Sequence, residues 1–172
     1  FSGRRDADPR QRTLRATMEW SHELLAADEQ VLFRCLSVFV GGFTLEAADA
    51  VCEASVDRLH ALLDKSLIRR TDERFQMLET VREYAQERLR TSGEEESMRM
   101  AHAIFYTQVA EAADAEWEGP RHGVWSVRFD QEQGNLRAAL SFLTGARDPE
   151  LALRLATSLR YFWLTRGDLA EG

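Results

Sequence analysis

Leu62-Leu63-Asp64-Lys65-Ser66-Leu67-Ile68-Arg69-Arg70-Thr71-Asp72-Glu73-Arg74-Phe75-Gln76-Met77 is the stretch in which the apolar period of this chain changes. Up to Lys65 the apolar residues recur at helical spacing. Beyond it Ile68 and Arg70 alternate with Arg69, and Phe75 and Met77 alternate with Gln76. A period of two belongs to a strand, whose successive side chains point to opposite faces. Thr71-Asp72-Glu73 is polar and separates the alternating stretches, so the segment predicts a small β-hairpin. Val81, Tyr84, Ala85 and Leu89 then restore the helical period. Arg88, Arg90 and the break Thr91-Ser92-Gly93 mark its end.

Working upstream, Ser55 caps a short helix with Val56, Leu59 and Leu63 facing inward, and Thr44 caps another with Leu45, Ala48 and Cys52 inward. Val31, Leu32, Cys35, Leu36 and Phe39 cover most of a helix circumference, which predicts a central core helix opened by Asp28 and Glu29 and stopped by Gly41-Gly42. Leu14, Met18, Ser21 and Leu25 predict a first helix over about Arg12 to Ala26, with Trp20 and Leu24 as a second covered stripe. Short helices, a helix ending in a basic residue, a hairpin and a closing helix make a winged-helix plan over residues 1–92. Its expected core includes Leu14, Phe39, Phe43, Leu63 and Phe75.

Residues 93–172 read as helix throughout. Met98, Ala101, Phe105, Val109 and Ala112 share one face of a long helix, and Gly119-Pro120 ends that segment. Trp125 with Phe129, then Leu136, Ala139, Leu140 and Leu143, predict a pair of shorter helices. Asp148-Pro149-Glu150 is a helix start, with proline at the first helical position; Ala152, Leu155, Leu159 and Phe162 carry that helix to about Thr165. The fold class is therefore mainly α, a winged helix followed by a helical bundle. Trp125 and Trp163 lie on apolar stripes and are expected inside; Trp117, beside the Gly-Pro break, is a candidate exposed anchor.

The chemistry is mostly one of exclusions. The 172 residues carry a net charge of −7; residues 1–92 hold 14 basic and 16 acidic groups, the remainder 8 and 13. Neither part has the positive footprint of a nucleic-acid-binding domain. No apolar stretch is long enough to span a membrane, and the N-terminus lacks the apolar core of a signal peptide. The start at Phe1 rather than Met is expected of a piece of a longer protein. Cys35 and Cys52 sit in apolar helical patterns, as buried thiols would in a reducing, cytoplasmic setting. No GxxxxGK[ST] or GxGxxG occurs. His22, His60, His102 and His122 lie far apart without metal-ligand partners and read as surface or helix-flank residues. No catalytic constellation is present, so the chain is not expected to be an enzyme.

The run Trp20-Ser21-His22-Glu23-Leu24-Leu25, Leu36 to Ala48, Leu62 to Ile68 and Phe75 to Ala85 resembles the winged-helix segment of bacterial signal-transduction ATPases of the NB-ARC-like (STAND) class, found in LuxR-type and AfsR-like regulators. The resemblance implies tetratricopeptide-like (TPR-like) repeats after residue 92, and ATP or ADP on an upstream domain, with no cofactor in this chain. In that class a Met-His-Asp triplet at the start of the closing helix senses the nucleotide. The matching triplet here is Met77-Leu78-Glu79, with Arg82 one turn on. Leu78 in the histidine position can neither donate a hydrogen bond nor carry charge. The expected function is a non-catalytic relay through interdomain and protein–protein contacts, with Arg4, Arg5, Arg69, Arg70 and Trp117 as interaction candidates. The alternatives are a DNA-binding winged helix, less expected because the charges of the Ser55–Lys65 helix cancel, and a helical-repeat scaffold that recruits a protein partner.

Overall fold

The computed structural model describes residues 9–146 and 148–166. Helices α1 (Pro9–Glu23) and α2 (Ala27–Cys35) lead through a 3-10 turn (Leu36–Val38) to strand β1 (Phe43–Thr44). Then follow α3 (Leu45–Cys52), α4 (Val56–Asp64), the hairpin β2 (Arg69–Thr71) and β3 (Arg74–Gln76), and α5 (Glu79–Ser92). The chain continues with α6 (Glu95–Ala115), α7 (His122–Ala146), α8 (Pro149–Ser158) and α9 (Arg160–Arg166). The sheet is antiparallel in the order β1-β3-β2, with Phe43 and Arg70 both opposite Phe75.

The caps read from the sequence are in place. Thr44 Oγ1 accepts from the Ala47 amide at 3.1 Å, Ser55 Oγ from Arg58 at 3.4 Å, and Asp148 Oδ1 from Leu151 at 3.0 Å. Each satisfies an amide that the first helical turn leaves without a backbone partner. Phe39, Phe43 and Phe75 are buried as expected, with Phe39 and Phe43 rings 4.9 Å apart and Phe43 stacked on Phe75 at 5.8 Å. Buried residues from both halves of the chain form one continuous cluster.

Several expectations are corrected. The central helix stops at Cys35, and the 3-10 turn carries the chain on toward Gly41-Gly42. Trp20 is 63% exposed and Leu24 is exposed, so α1 is covered on one side only. Leu63 is partly rather than fully buried, and the side chain of Leu14 lies outside the described residues. The pair of short helices after Pro120 is one helix, α7. Its polar centre is not a break, and two of its residues, Glu132 and Asn135, are buried. The last helix is interrupted at Leu159, which divides α8 from α9. Trp117 is buried against Phe129 and Phe162, at ring distances of 5.9 and 6.4 Å, and is no exposed anchor. Trp125 is buried as expected and Trp163 half-buried.

Two glycines permit close backbone approaches, Gly42 within the winged helix domain and Gly134 where α7 meets the first half of the chain. Gly42 has φ +106°, and a Cβ there would lie 2.8 Å from the Phe75 carbonyl oxygen. A Cβ on Gly134 would meet the Val40 carbonyl oxygen at 2.6 Å. In an isolated helix Gly→Ala is favourable by about 1 kcal/mol. Here Gly134→Ala is expected to destabilise by about 1–3 kcal/mol, because α7 must move off the Val40 backbone. A thermal melt that rises instead of falling would contradict this close packing.

Candidate functional site

The seam between α7 and the first half of the chain is built around two polar residues on the buried face of α7, Glu132 and Asn135. Asn135 Oδ1 accepts from the Val40 amide at 2.7 Å, and its Nδ2 donates to the Gly42 carbonyl at 2.9 Å. The same Nδ2 donates to Glu132 Oε2 at 2.7 Å, and the Tyr106 hydroxyl donates to that oxygen at 2.9 Å. Arg74, at the start of β3, pairs with Glu132 Oε1 and donates to the Gln131 carbonyl. One carboxylate thus receives three donors from three elements, the arrangement a buried charge requires.

His102 completes the network, its Nε2 3.3 Å from Asn135 Oδ1. With the Asn135 oxygen accepting and its nitrogen donating elsewhere, the His102 Nε2 carries the proton and the ring is neutral. Burial holds its pKa down at about 4, against 6.5 for the free side chain. Burial also pushes the Tyr106 hydroxyl well above its usual range. The expected surface histidine is therefore a core residue. Between pH 6.5 and about 4 the unfolded chain takes up a proton at His102 that the folded chain refuses, so stability falls as pH falls through that window. A contribution of about 3 kcal/mol is expected over that range. Urea melts at pH 7 and pH 4.5 should show His102→Gln losing less stability on acidification than the parent chain; equal losses would count against a neutral buried imidazole.

Further pairs tie the two halves at the rim: Arg128 to Glu46 at 2.9 Å and Arg34 to Glu94 at 2.6 Å. The other residues singled out in the sequence do not gather at this seam. Met77 is buried, Leu78 is 49% exposed at the N-cap of α5, and Glu79 pairs with Arg82 at 2.6 Å. The Arg82 fork holds the Glu79 carboxyl below its usual range. Arg69 donates to Gln76 Oε1 at 2.7 Å, while Arg70 donates to the Asp72 carbonyl and lies over the Phe75 ring. Arg4 and Arg5 lie outside the described residues.

The surface that would face a DNA groove is also visible. On α4, Val56 is exposed at the first turn rather than inward as expected, and Asp57, His60 and Asp64 are exposed with it. Arg58 folds back onto the Glu53 carbonyl, and Lys65 lies 3.5 Å from Glu29. Among the described residues no cluster of His, Cys, Asp and Glu could hold a metal ion, and no helix is long and apolar enough to cross a membrane.

The order helix, strand, two helices, hairpin, with β1 against β3, coincides with a family match: residues 25–90 match the winged helix-turn-helix domain. Residues 25–90 form a winged helix domain. Over 99% of its length the chain is 41% identical to a Mycobacterium tuberculosis protein described as a candidate HTH-type transcriptional regulator, and equally to a counterpart in Mycobacterium bovis. It spans only 20% of those relatives. An uncharacterized Mycobacterium tuberculosis protein is 37% identical over 65% of the chain and 32% of its own length. No solved structure gives a significant match.

Sequence reasoning missed the seam, although a signal was there. Glu132 falls on the α7 stripe of Phe129, Leu136, Ala139 and Leu143, and His102 falls four residues after Met98 on the α6 stripe. A polar residue on an apolar stripe is either an error of period or a buried group with partners.

Proposed function

We propose that this chain is a non-catalytic regulatory segment of a larger bacterial transcription regulator, in which the winged helix domain and the helices after it act as one body on other parts of the same protein. The observation that carries this reading is the seam. Arg74, a cation of the wing, is paired with Glu132 of α7 and largely withdrawn from solvent. The face of α4 offers two aspartates where a DNA-reading helix would offer donors to bases and phosphates. The likeness to NB-ARC-like regulators supports a cytoplasmic place downstream of a nucleotide-binding domain, and the packed helices α6 to α9 support a repeat-like array beyond it.

A second reading, direct DNA contact by α4 and the wing, is favoured by the winged helix match and by the relatives described as HTH-type regulators. The two separate in one titration. Fluorescence anisotropy of the chain on labelled duplexes tiling the promoter of its own gene, over a salt series, is expected to show no saturable binding near physiological ionic strength. Saturable binding whose log affinity falls linearly with log salt, and that weakens in Arg69→Ala/Arg70→Ala, would establish the DNA reading instead.

A further inference from the structure

Next to the seam network an open cleft of about 810 Å³ lies between α5, α6 and α7. Its volume is that of small-molecule sites in general. Val38 and Val40 from the winged helix domain and Phe142 from α7 give it an apolar side. Arg82 and Arg90 of α5 and Arg99 of α6 also line it, against the carboxylates of Glu95 and Glu96. Three arginines meet at this one cleft in a chain whose net charge is −7.

The guanidinium groups are held by the chain's own accessible carboxylates. Glu95 lies 2.8 Å from Arg99 and 3.9 Å from Arg90, and Arg82 is held by Glu79, whose carboxylate is largely exposed. The Arg90 and Arg99 pairs with Glu95 are partly exposed and contribute little to stability, so their replacement by the oxygens of an incoming anion costs little. Arg82 is more enclosed and gains a second anionic partner. Arginine forks match phosphate and carboxylate geometry, and the apolar side would take a hydrocarbon body. His102 lines the inner wall and through Asn135 reaches the Val40 amide, so the cleft adjoins the contacts that hold the two halves together.

We propose that this cleft binds a small organic anion, with its phosphate or carboxylate head on Arg82, Arg90 and Arg99 and its apolar body on Val38, Val40 and Phe142. Its role as an effector site rests on the regulatory reading above; the binding itself does not. Isothermal titration of the chain with octyl phosphate, octanoate and inorganic phosphate tests it, with the amphiphiles kept below micellar concentration. Octyl phosphate or octanoate is expected to bind, the tighter of the two naming the head group, and inorganic phosphate to bind more weakly. Arg90→Gln/Arg99→Gln should weaken the amphiphile by about tenfold or more. Phe142→Ala should weaken the amphiphile and leave inorganic phosphate unchanged. Arg121→Gln, outside the cleft, should bind as the parent chain does, and circular dichroism melts identify any variant that fails to fold. No heat from any of the three probes, or undiminished binding in the folded double-arginine variant, overturns the proposal. Binding that follows this pattern in a chain without influence on transcription would sink the regulatory reading and leave the site standing.

Discussion

Replacing Glu132 by alanine is expected to destabilise the chain by about 3–5 kcal/mol, the usual cost of removing one partner of a buried ion pair. The loss leaves the Tyr106 hydroxyl without its acceptor and removes the carboxylate that holds Arg74 and Asn135 in place. Arg74 is partly exposed and regains some water, which favours the lower end of the range. Glu132→Gln keeps the shape and one acceptor oxygen, so it should cost less than the alanine variant. Urea unfolding measures both. A change below about 1 kcal/mol for Glu132→Ala would mean that the network contributes little to the seam. A double-mutant cycle with Arg74→Ala isolates the pair, and a coupling near zero would show that the wing is not held by α7.

The second large effect belongs to Phe39. Its ring lies 4.9 Å from Phe43 within the winged helix domain and 5.3 and 6.4 Å from His102 and Tyr106 of α6. Truncation to alanine removes contacts on both sides of the seam at once. A cost of about 3–5 kcal/mol is expected, with a melting temperature lowered by about 10 °C. If Phe39→Ala melts with the parent chain, this core is wrongly placed. Phe129→Ala, confined to the helical half among Trp117, Trp125 and Phe162, should cost a similar amount without altering the Val40–Asn135 contact.

The winged helix domain was legible because its signals are local. Period changes, Thr44 and Ser55 at helix starts and a polar turn at Asp72-Glu73 each act within a few residues, and each takes the place expected. The seam was illegible because it joins residues far apart: Val40 meets Asn135, and Arg74 meets Glu132. The polar run Asp130-Gln131-Glu132-Gln133-Gly134-Asn135 reads as a break when burial is unknown, since polar residues and glycine are frequent in turns. Tertiary partners make it the middle of a helix. Trp117 was misplaced for a related reason. Its neighbours Gly119 and Pro120 mark a chain reversal, but a reversal can be covered, and here Phe162 of α9 helps to cover it. The bare α1 stripe of Trp20 and Leu24 shows the converse, an apolar pattern that predicts a covering surface without saying which part of a protein supplies it.

Hydrogen exchange resolved by mass spectrometry tests the unity of the two halves most directly. Peptides covering residues 36–44 and residues 129–139 are expected to open together, with the same free energy, and to lose protection by the same amount in Asn135→Ala. Opening of the first peptide at a lower free energy, unchanged by that substitution, would contradict a winged helix domain held as one body with the helices that follow it.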